Sequence, residues 1–272
     1  MTQLLSGKTA LVTGAAGLLG FEHTKALLSS GCNVILTDYD ISNLENRLIE
    51  IKPMIGEQKI LVVEADLSRK DSILQMSQVI KDSDFTIDIL INNAAVNPTI
   101  SDSTTEGGNS FETFALERWN YEISVNLTGS FLCCQIFGSD MAMRKSGVIL
   151  NIASDLSVIA PDNRIYSVSE TQIDHSKAKP VSYSVSKTAI VGLTRYLAEY
   201  WAKDGVRVNC ISPGGVRVDQ PKDFVEKIER LIPMGRMANV DEYRGVVLFL
   251  VSDASSYMTG QNIVVDGGRS II

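Results

Sequence analysis

Cysteine and histidine are scarce in this chain of 272 residues, four of one and two of the other. None of Cys32, Cys133, Cys134 and Cys210 forms a C-x-x-C pair, so neither a zinc site nor a disulfide framework is expected. Cys133 and Cys134 are vicinal in an apolar helical run and read as core packing in a reducing compartment. His23 and His175 are the only imidazoles, so no histidine metal site is expected. Basic residues are in deficit: 25 Lys and Arg against 32 Asp and Glu leave a formal net charge of -7. A phosphate backbone would meet a repulsive field, and nucleic acid is not an expected partner. No window reaches the ~18 uninterrupted apolar residues of a membrane span, and Met1 to Ser6 lacks a basic region and a long apolar stretch. The expectation is a cytoplasmic protein with no membrane partner. Repeats, low-complexity tracts and Pro/Gly linkers are also missing, so one domain over 1–272 is the simplest division.

What is present is a rhythm. Short β-branched runs (Thr9 to Thr13, Asn33 to Thr37, Ile60 to Glu64, Asp88 to Ile91, Val148 to Ile152, Val206 to Ile211, Asn262 to Val265) alternate with stretches of helical periodicity. Continuously apolar cores such as Val34-Ile35-Leu36 and Ile89-Leu90-Ile91 suit parallel strands buried on both faces. The pattern predicts an α/β, Rossmann-type, doubly wound parallel sheet of seven strands with helices on both faces. Two polar excursions break the rhythm, at about 97–113 and 162–179, and each exceeds an ordinary connection. They are expected at the mouth of a site. Asp219 to Met237, with Pro221 and Pro233 flanking an amphipathic stretch, could close over substrate as a lid.

The first strand runs into Thr13-Gly14-Ala15-Ala16-Gly17-Leu18-Leu19-Gly20 and then a helix. Glycines permit the tight turn, and the helix N-terminus offers unpaired N–H groups to a pyrophosphate. The second strand ends at Asp38, 24 residues past Gly14, where a carboxylate can accept from the adenosine ribose hydroxyls or simply end a strand. That charge would repel a 2′-phosphate. No Arg or Lys stands in the glycine turn or directly after Asp38, which favours NAD over NADP. Asp66, followed by Leu67, closes the third strand and either meets the adenine edge or caps the next helix.

Tyr183-Ser184-Val185-Ser186-Lys187 opens a helical segment after Pro180, and i,i+4 spacing puts the phenol and the ammonium on one helix face. A free phenol, pKa near ~10, is a poor base at neutrality; a nearby ammonium, joined by a cationic nicotinamide, would draw that value down. Eight tyrosines and thirteen lysines in this length give about 0.4 chance matches to the spacing, so other motifs must support it. They do, and in order: Asn92-Asn93-Ala94-Ala95 after the fourth strand, Asn126 in a long helix, Ser154 ending the fifth strand in Asn151-Ile152-Ala153-Ser154, and Pro213-Gly214 after the sixth.

This ordered set resembles the short-chain dehydrogenase/reductase superfamily, specifically its single-domain branch, from Gly7-Lys8 to Asp266-Gly267-Gly268. The resemblance implies Tyr183 as general acid/base, Lys187 lowering its pKa and holding the nicotinamide ribose, Ser154 binding the substrate oxygen, and Asn126 supporting a water-mediated proton relay. It places Asn93, Ala94 and Ala95 along the adenosine side, Ala95 standing where a glycine is usual, and sets Pro213, Gly214 and Val216 against the nicotinamide. It also implies a homo-oligomer, a homotetramer or dimer, built through the helices at Leu116 to Met143 and Ser182 to Trp201 and the C-terminal strand.

Four departures stand out. The glycine turn reads T-G-x-x-G-x-x-G, with Gly17 where the longer branch of epimerases and dehydratases has it and Leu18 at the single-domain branch's middle glycine. Chain length argues against that longer branch. Ser154 and Tyr183 stand 29 residues apart, more than the single-domain branch allows, so an insertion must loop over the site. Tyr166 is a decoy at the more usual interval, but Glu170 follows where a lysine belongs and would raise the phenol's pKa. Val218 replaces the Thr expected after Pro-Gly, leaving the carboxamide to backbone groups.

The reading is thus an NAD-dependent oxidoreductase interconverting a secondary alcohol and a ketone, on a small molecule such as a polyol or sugar. Asp155, Arg164, His175, Lys177 and Lys179 add polarity at the mouth, suiting a hydroxylated or anionic ligand or merely a solvated loop. The alternatives are an epimerase/dehydratase-like enzyme with bound NAD and a non-catalytic dinucleotide-binding protein, which would not need the acid/base pair.

Overall fold

In the computed structural model, which describes residues 3–97, 108–167 and 173–272, the apolar runs form seven strands. They are β1 (Thr9–Thr13), β2 (Asn33–Asp38), β3 (Ile60–Glu64), β4 (Ile89–Asn92), β5 (Gly147–Ile152), β6 (Val206–Pro213) and β7 (Asn262–Val265). They make one sheet in the order β3-β2-β1-β4-β5-β6-β7, parallel throughout. All seven predicted runs are strands, with β2 carried on to Asp38 and β6 to Pro213.

Period-2 alternation divides each strand between two cores. Ala10, Val12, Val34, Leu36, Ile89, Ile91 and Leu150 pack on one face with Leu27, Leu28 and Leu44. Leu11, Ile35, Leu90 and Ile149 pack on the other with Ile73, Met76, Phe137 and Leu197. The first layer is made by α1 (Leu18–Ser29), α2 (Ile41–Ile51) and α9 (Arg244–Val251). The second is made by α3 (Lys70–Lys81), the run α4 (Leu116–Ile123), α5 (Ser130–Cys133) and α6 (Ser139–Met143), and α7 (Val181–Tyr200). Apolar side chains on both faces explain why these strands show no polar alternation. Cys133 and Cys134 are buried in the second core, as their apolar run implies.

The long helix expected over Leu116 to Met143 is broken by two π-helical stretches, Ser124–Gly129 and Cys134–Gly138. The first ends at a close approach, where a Cβ on Gly129 would stand 2.8 Å from the Leu67 carbonyl oxygen. Strand order reverses between β1 and β4, so a crevice opens beyond their carboxyl ends, where open α/β sheets bind ligands.

Parts of the two polar excursions, residues 98–107 and 168–172 with Glu170 among them, lie outside the described residues. Their described remainders join. Asn109 donates from its backbone N to the Ser176 carbonyl at 2.9 Å and from its side chain to the Ala178 carbonyl at 2.7 Å. Tyr166 packs at a tilt against Phe224 of α8 (Lys222–Glu229), ring centroids 5.6 Å apart, over a small core of Ile165, Val225, Ile228, Ile232 and Met237. Lys227 then ties α8 to the Ser167 carbonyl at 2.6 Å. The described part of the insertion and the segment from Asp219 to Met237 therefore pack together beside the crevice.

Candidate active site

Beyond the strand ends lies a cleft of about 1060 Å³. Its dinucleotide half is built by the glycine turn. Gly14 has φ +63, and a Cβ there would stand 2.7 Å from Ala94 Cα, so only glycine fits. Gly20 is as constrained, since a Cβ would overlap the Gly14 carbonyl. Gly17 is the N-cap of α1 with no side-chain cap, which leaves the first N–H groups of the helix, at Leu18 and Leu19, open toward the cleft. Asp38 is buried and accepts from Ala16 N at 3.0 Å and Asp40 N at 3.2 Å, bracing the turn. Asn93 closes the other side, its side chain donating to the Thr13 and Gly14 carbonyls at 3.0 Å. Asp66 accepts from the Ser68 backbone and hydroxyl rather than capping α3, whose N-cap is Arg69. Leu67, Ala94, Ala95, Pro213, Gly214 and Val216 line the same cleft. An uncapped helix end, close backbone and a carboxylate at the β2 terminus together fit a dinucleotide.

A cation unforeseen in the sequence also reaches this turn. Arg47 of α2 donates from Nε to the Ala16 carbonyl at 3.4 Å, its charge shared with Glu50 and the Phe21 ring. Its distance in sequence hid it.

At the other end Ser154, Tyr183 and Lys187 line the cleft together. Lys187 is buried and donates to the Ile152 carbonyl at 2.8 Å, its Nζ 5.8 Å from the Tyr183 ring centroid. Burial lowers its pKa to about 8, Cys210 opposing and Lys179 assisting. Burial raises the Tyr183 phenol to about 12, and a hydrogen bond with Ser154 offsets only part of the rise.

Asn126 lies in the first π-helical stretch, buried and outside the cleft lining. Its amide brackets Val96, accepting from its N at 2.7 Å and donating to its carbonyl at 3.0 Å, and reaches Ser186 at 3.4 Å. Its nearest tie to the Y-x-x-x-K segment is thus Ser186, the residue that precedes Lys187. Tyr166 lines the insertion side of the cleft, with burial raising its pKa to about 12. Val218 N donates to Gln220 Oε1 at 2.8 Å at the same rim. His175 is exposed, and among the described residues no cluster could hold a metal.

Two features escaped the sequence. Asp155 pairs with Arg269 at 2.7 Å, the two side chains only 5% and 8% exposed, and its other oxygen accepts from Ser154 Oγ at 2.9 Å. Lys179, from the end of the insertion, puts its Nζ 4.2 Å from the Tyr183 ring centroid. Neither arrangement has a local spacing signal.

The chain matches a family model described as Enoyl-(Acyl carrier protein) reductase over residues 14–270. It is 34% identical over 272 residues to an NAD-dependent glycerol dehydrogenase of Listeria innocua, covering 98% of this chain and 95% of that one. A 2-dehydro-3-deoxy-D-gluconate 5-dehydrogenase of Bacillus subtilis is 32% identical, with 97% and 95% covered. A solved short chain dehydrogenase from Leptospira borgpetersenii with bound NAD+ superposes with a TM-score of 0.81 at 32% identity, covering 98% of this chain and 94% of that one.

Proposed function

This chain belongs to the short-chain dehydrogenase/reductase superfamily, and on that footing we propose that it is an NAD(H)-dependent dehydrogenase interconverting a secondary alcohol and a ketone on a polyol or sugar-like substrate. One observation carries the reading: Ser154, Tyr183 and Lys187 face the same cleft as the glycine turn and Asp38. Relatives named for glycerol and for a dehydrodeoxygluconate support a hydroxylated substrate. The NAD-bound neighbour and the Asp38 carboxylate, which disfavours a 2′-phosphate, support NAD over NADP.

In this reading Gly14, Gly17, Leu18 and Leu19 hold the pyrophosphate, Asp38 the adenosine ribose, and Asp66 and Leu67 the adenine. Asn93, Ala94 and Ala95 border the adenosine, while Pro213, Gly214 and Val216 border the nicotinamide. The bound dinucleotide supplies the hydride acceptor and, when oxidised, a positive charge in the cleft. Tyr183 Oη takes the proton from the substrate hydroxyl, or returns it to the carbonyl oxygen. Ser154 Oγ fixes that oxygen, Lys187 favours phenolate and holds the nicotinamide ribose, and Asn126 supports a proton relay toward Lys187. Because burial holds the phenol near 12, positive charge must do the work of bringing it down. The chain acts as a homo-oligomer, for which the exposed apolar side chains of α4, α5 and α7 are the support.

The test is oxidation of a panel of polyols and sugar alcohols, read as NADH formation. Tyr183→Phe should cut turnover by about 10²–10⁴-fold with NAD affinity unchanged. Wild-type turnover in the variant would refute the mechanism, and NADP serving as well as NAD would refute the cofactor choice.

A further inference from the structure

The insertion between Ser154 and Tyr183 delivers its last side chain into the cleft from a fixed base. Lys179 precedes Pro180, the N-cap of α7. Its backbone N donates to Asn163 Oδ1 at 3.4 Å, and the neighbouring Ala178 carbonyl is held by Asn109 Nδ2 at 2.7 Å. From there Nζ lies over the Tyr183 ring, 4.2 Å from its centroid, and donates to Asn97 Oδ1 at 2.5 Å. Asn97 is a neutral acceptor. Among the described residues Lys179 has no carboxylate partner at ion-pair distance.

The neighbouring cations are engaged. Lys187 donates to Ile152, Arg269 faces Asp155, and Lys177 pairs with Asp174 at 3.5 Å. Lys179, like Lys187, thus donates to a neutral acceptor and, among the described residues, has no carboxylate at ion-pair distance, and it is not cheaply placed. Burial lowers its pKa to about 8, with Asp155 and Glu122 opposing from a distance, and its charge in turn depresses Lys187. A neutral polyol would be recognised by hydroxyl and amide groups and would not call for a second ammonium beside the first. An anion would. Arg269 points the same way: one terminal nitrogen meets Asp155, and its remaining donors belong to a guanidinium that lines the cleft. The cleft lining is thus uneven in charge, with the carboxylates of Asp38 and Asp66 at the glycine-turn end and Lys179, Lys187 and Arg269 gathered at the Tyr183 end, where Asp155 faces Arg269.

We propose that Lys179 forms a subsite for an anionic group, a carboxylate or a phosphate, carried by the hydroxylated substrate close to its reacting carbon. This rests on the dehydrogenase reading and narrows its substrate class. Lys179 is then a specificity-determining residue of the Tyr183 site.

The experiment is calorimetric titration of NADH-loaded protein with gluconate, sorbitol 6-phosphate and threitol. Wild type should bind one of the anions about 10- to 100-fold more tightly than threitol, and the two anions separate carboxylate from phosphate. Lys179→Met should remove that advantage while keeping NADH and threitol affinity, and Lys179→Arg should restore most of it. Equal affinity for threitol and both anions in wild type would overturn the proposal, as would an advantage that survives in Lys179→Met. Loss of NADH affinity in Lys179→Met without recovery in Lys179→Arg would make the role structural and equally overturn it. Since binding is read, absence of any polyol oxidation would refute the dehydrogenase reading separately.

Discussion

His23 of α1 is fully buried, and neither ring nitrogen has a hydrogen-bond partner. Burial alone lowers its pKa from 6.5 to about 4, so the native ring is neutral. The folded value lies below the unfolded one. The stability this ring allows is therefore complete above pH 6.5 and drains away as pH falls toward 4, by ~3 kcal/mol in all. His23→Leu abolishes the titration. In urea unfolding the variant should gain ~3 kcal/mol on wild type between neutrality and pH ~4, and a difference independent of pH would contradict the assignment. The sequence placed His23 on a helix but gave no sign of its complete burial. Beside it α9 packs on α1, and Arg244 crosses to Glu22 at 2.7 Å.

At the scale of elements, the strands, the glycine turn and the Y-x-x-x-K helix were all legible, because each rests on spacing within one segment. The turn at Gly14 to Gly20 and the pair Tyr183 and Lys187 need only their own backbone to be read. The ion pair between Asp155 and Arg269 was not legible, since 114 residues separate its members and only the return of the chain after β7 brings them together. The burial that raises the Tyr183 phenol was not legible either, because it follows from tertiary packing and not from helix spacing. The pair also fixes Ser154, whose hydroxyl donates to Asp155 Oδ1. Asp155→Leu leaves the Arg269 guanidinium buried without a counter-charge and should cost about 3–5 kcal/mol. The double change Asp155→Leu with Arg269→Met should cost less than the single one, because no charge is left stranded. Urea denaturation of the four members of this cycle checks both statements, and additive losses would remove the pair from the account of the site.

Across the whole molecule, exposed apolar side chains recur on the helices of the second layer. Leu116 on α4, Phe131 on α5, and Tyr196 and Tyr200 on α7 are all exposed. The two tyrosine rings stack 5.8 Å apart. The helices that carry them are neighbours, joined by a hydrogen bond from Ser182 to buried Glu122. Their apolar side chains can therefore contribute to one face, and isolated domains rarely leave broad apolar patches open to water. A two-fold axis across such a face sets each residue near its own copy, so a single introduced charge is felt twice. Sedimentation of wild type should give a dimer or tetramer, whereas Tyr196→Asp with Tyr200→Asp should shift the mass downward through like-charge repulsion in the same interface. Activity should fall with it, because α7 bears Tyr183 and Lys187 on its first turns and the two tyrosines on its last, so a helix released from its partner at one end is held less firmly at the other. A wild-type monomer, or a double variant with unchanged mass, would show that this apolar face has some other use.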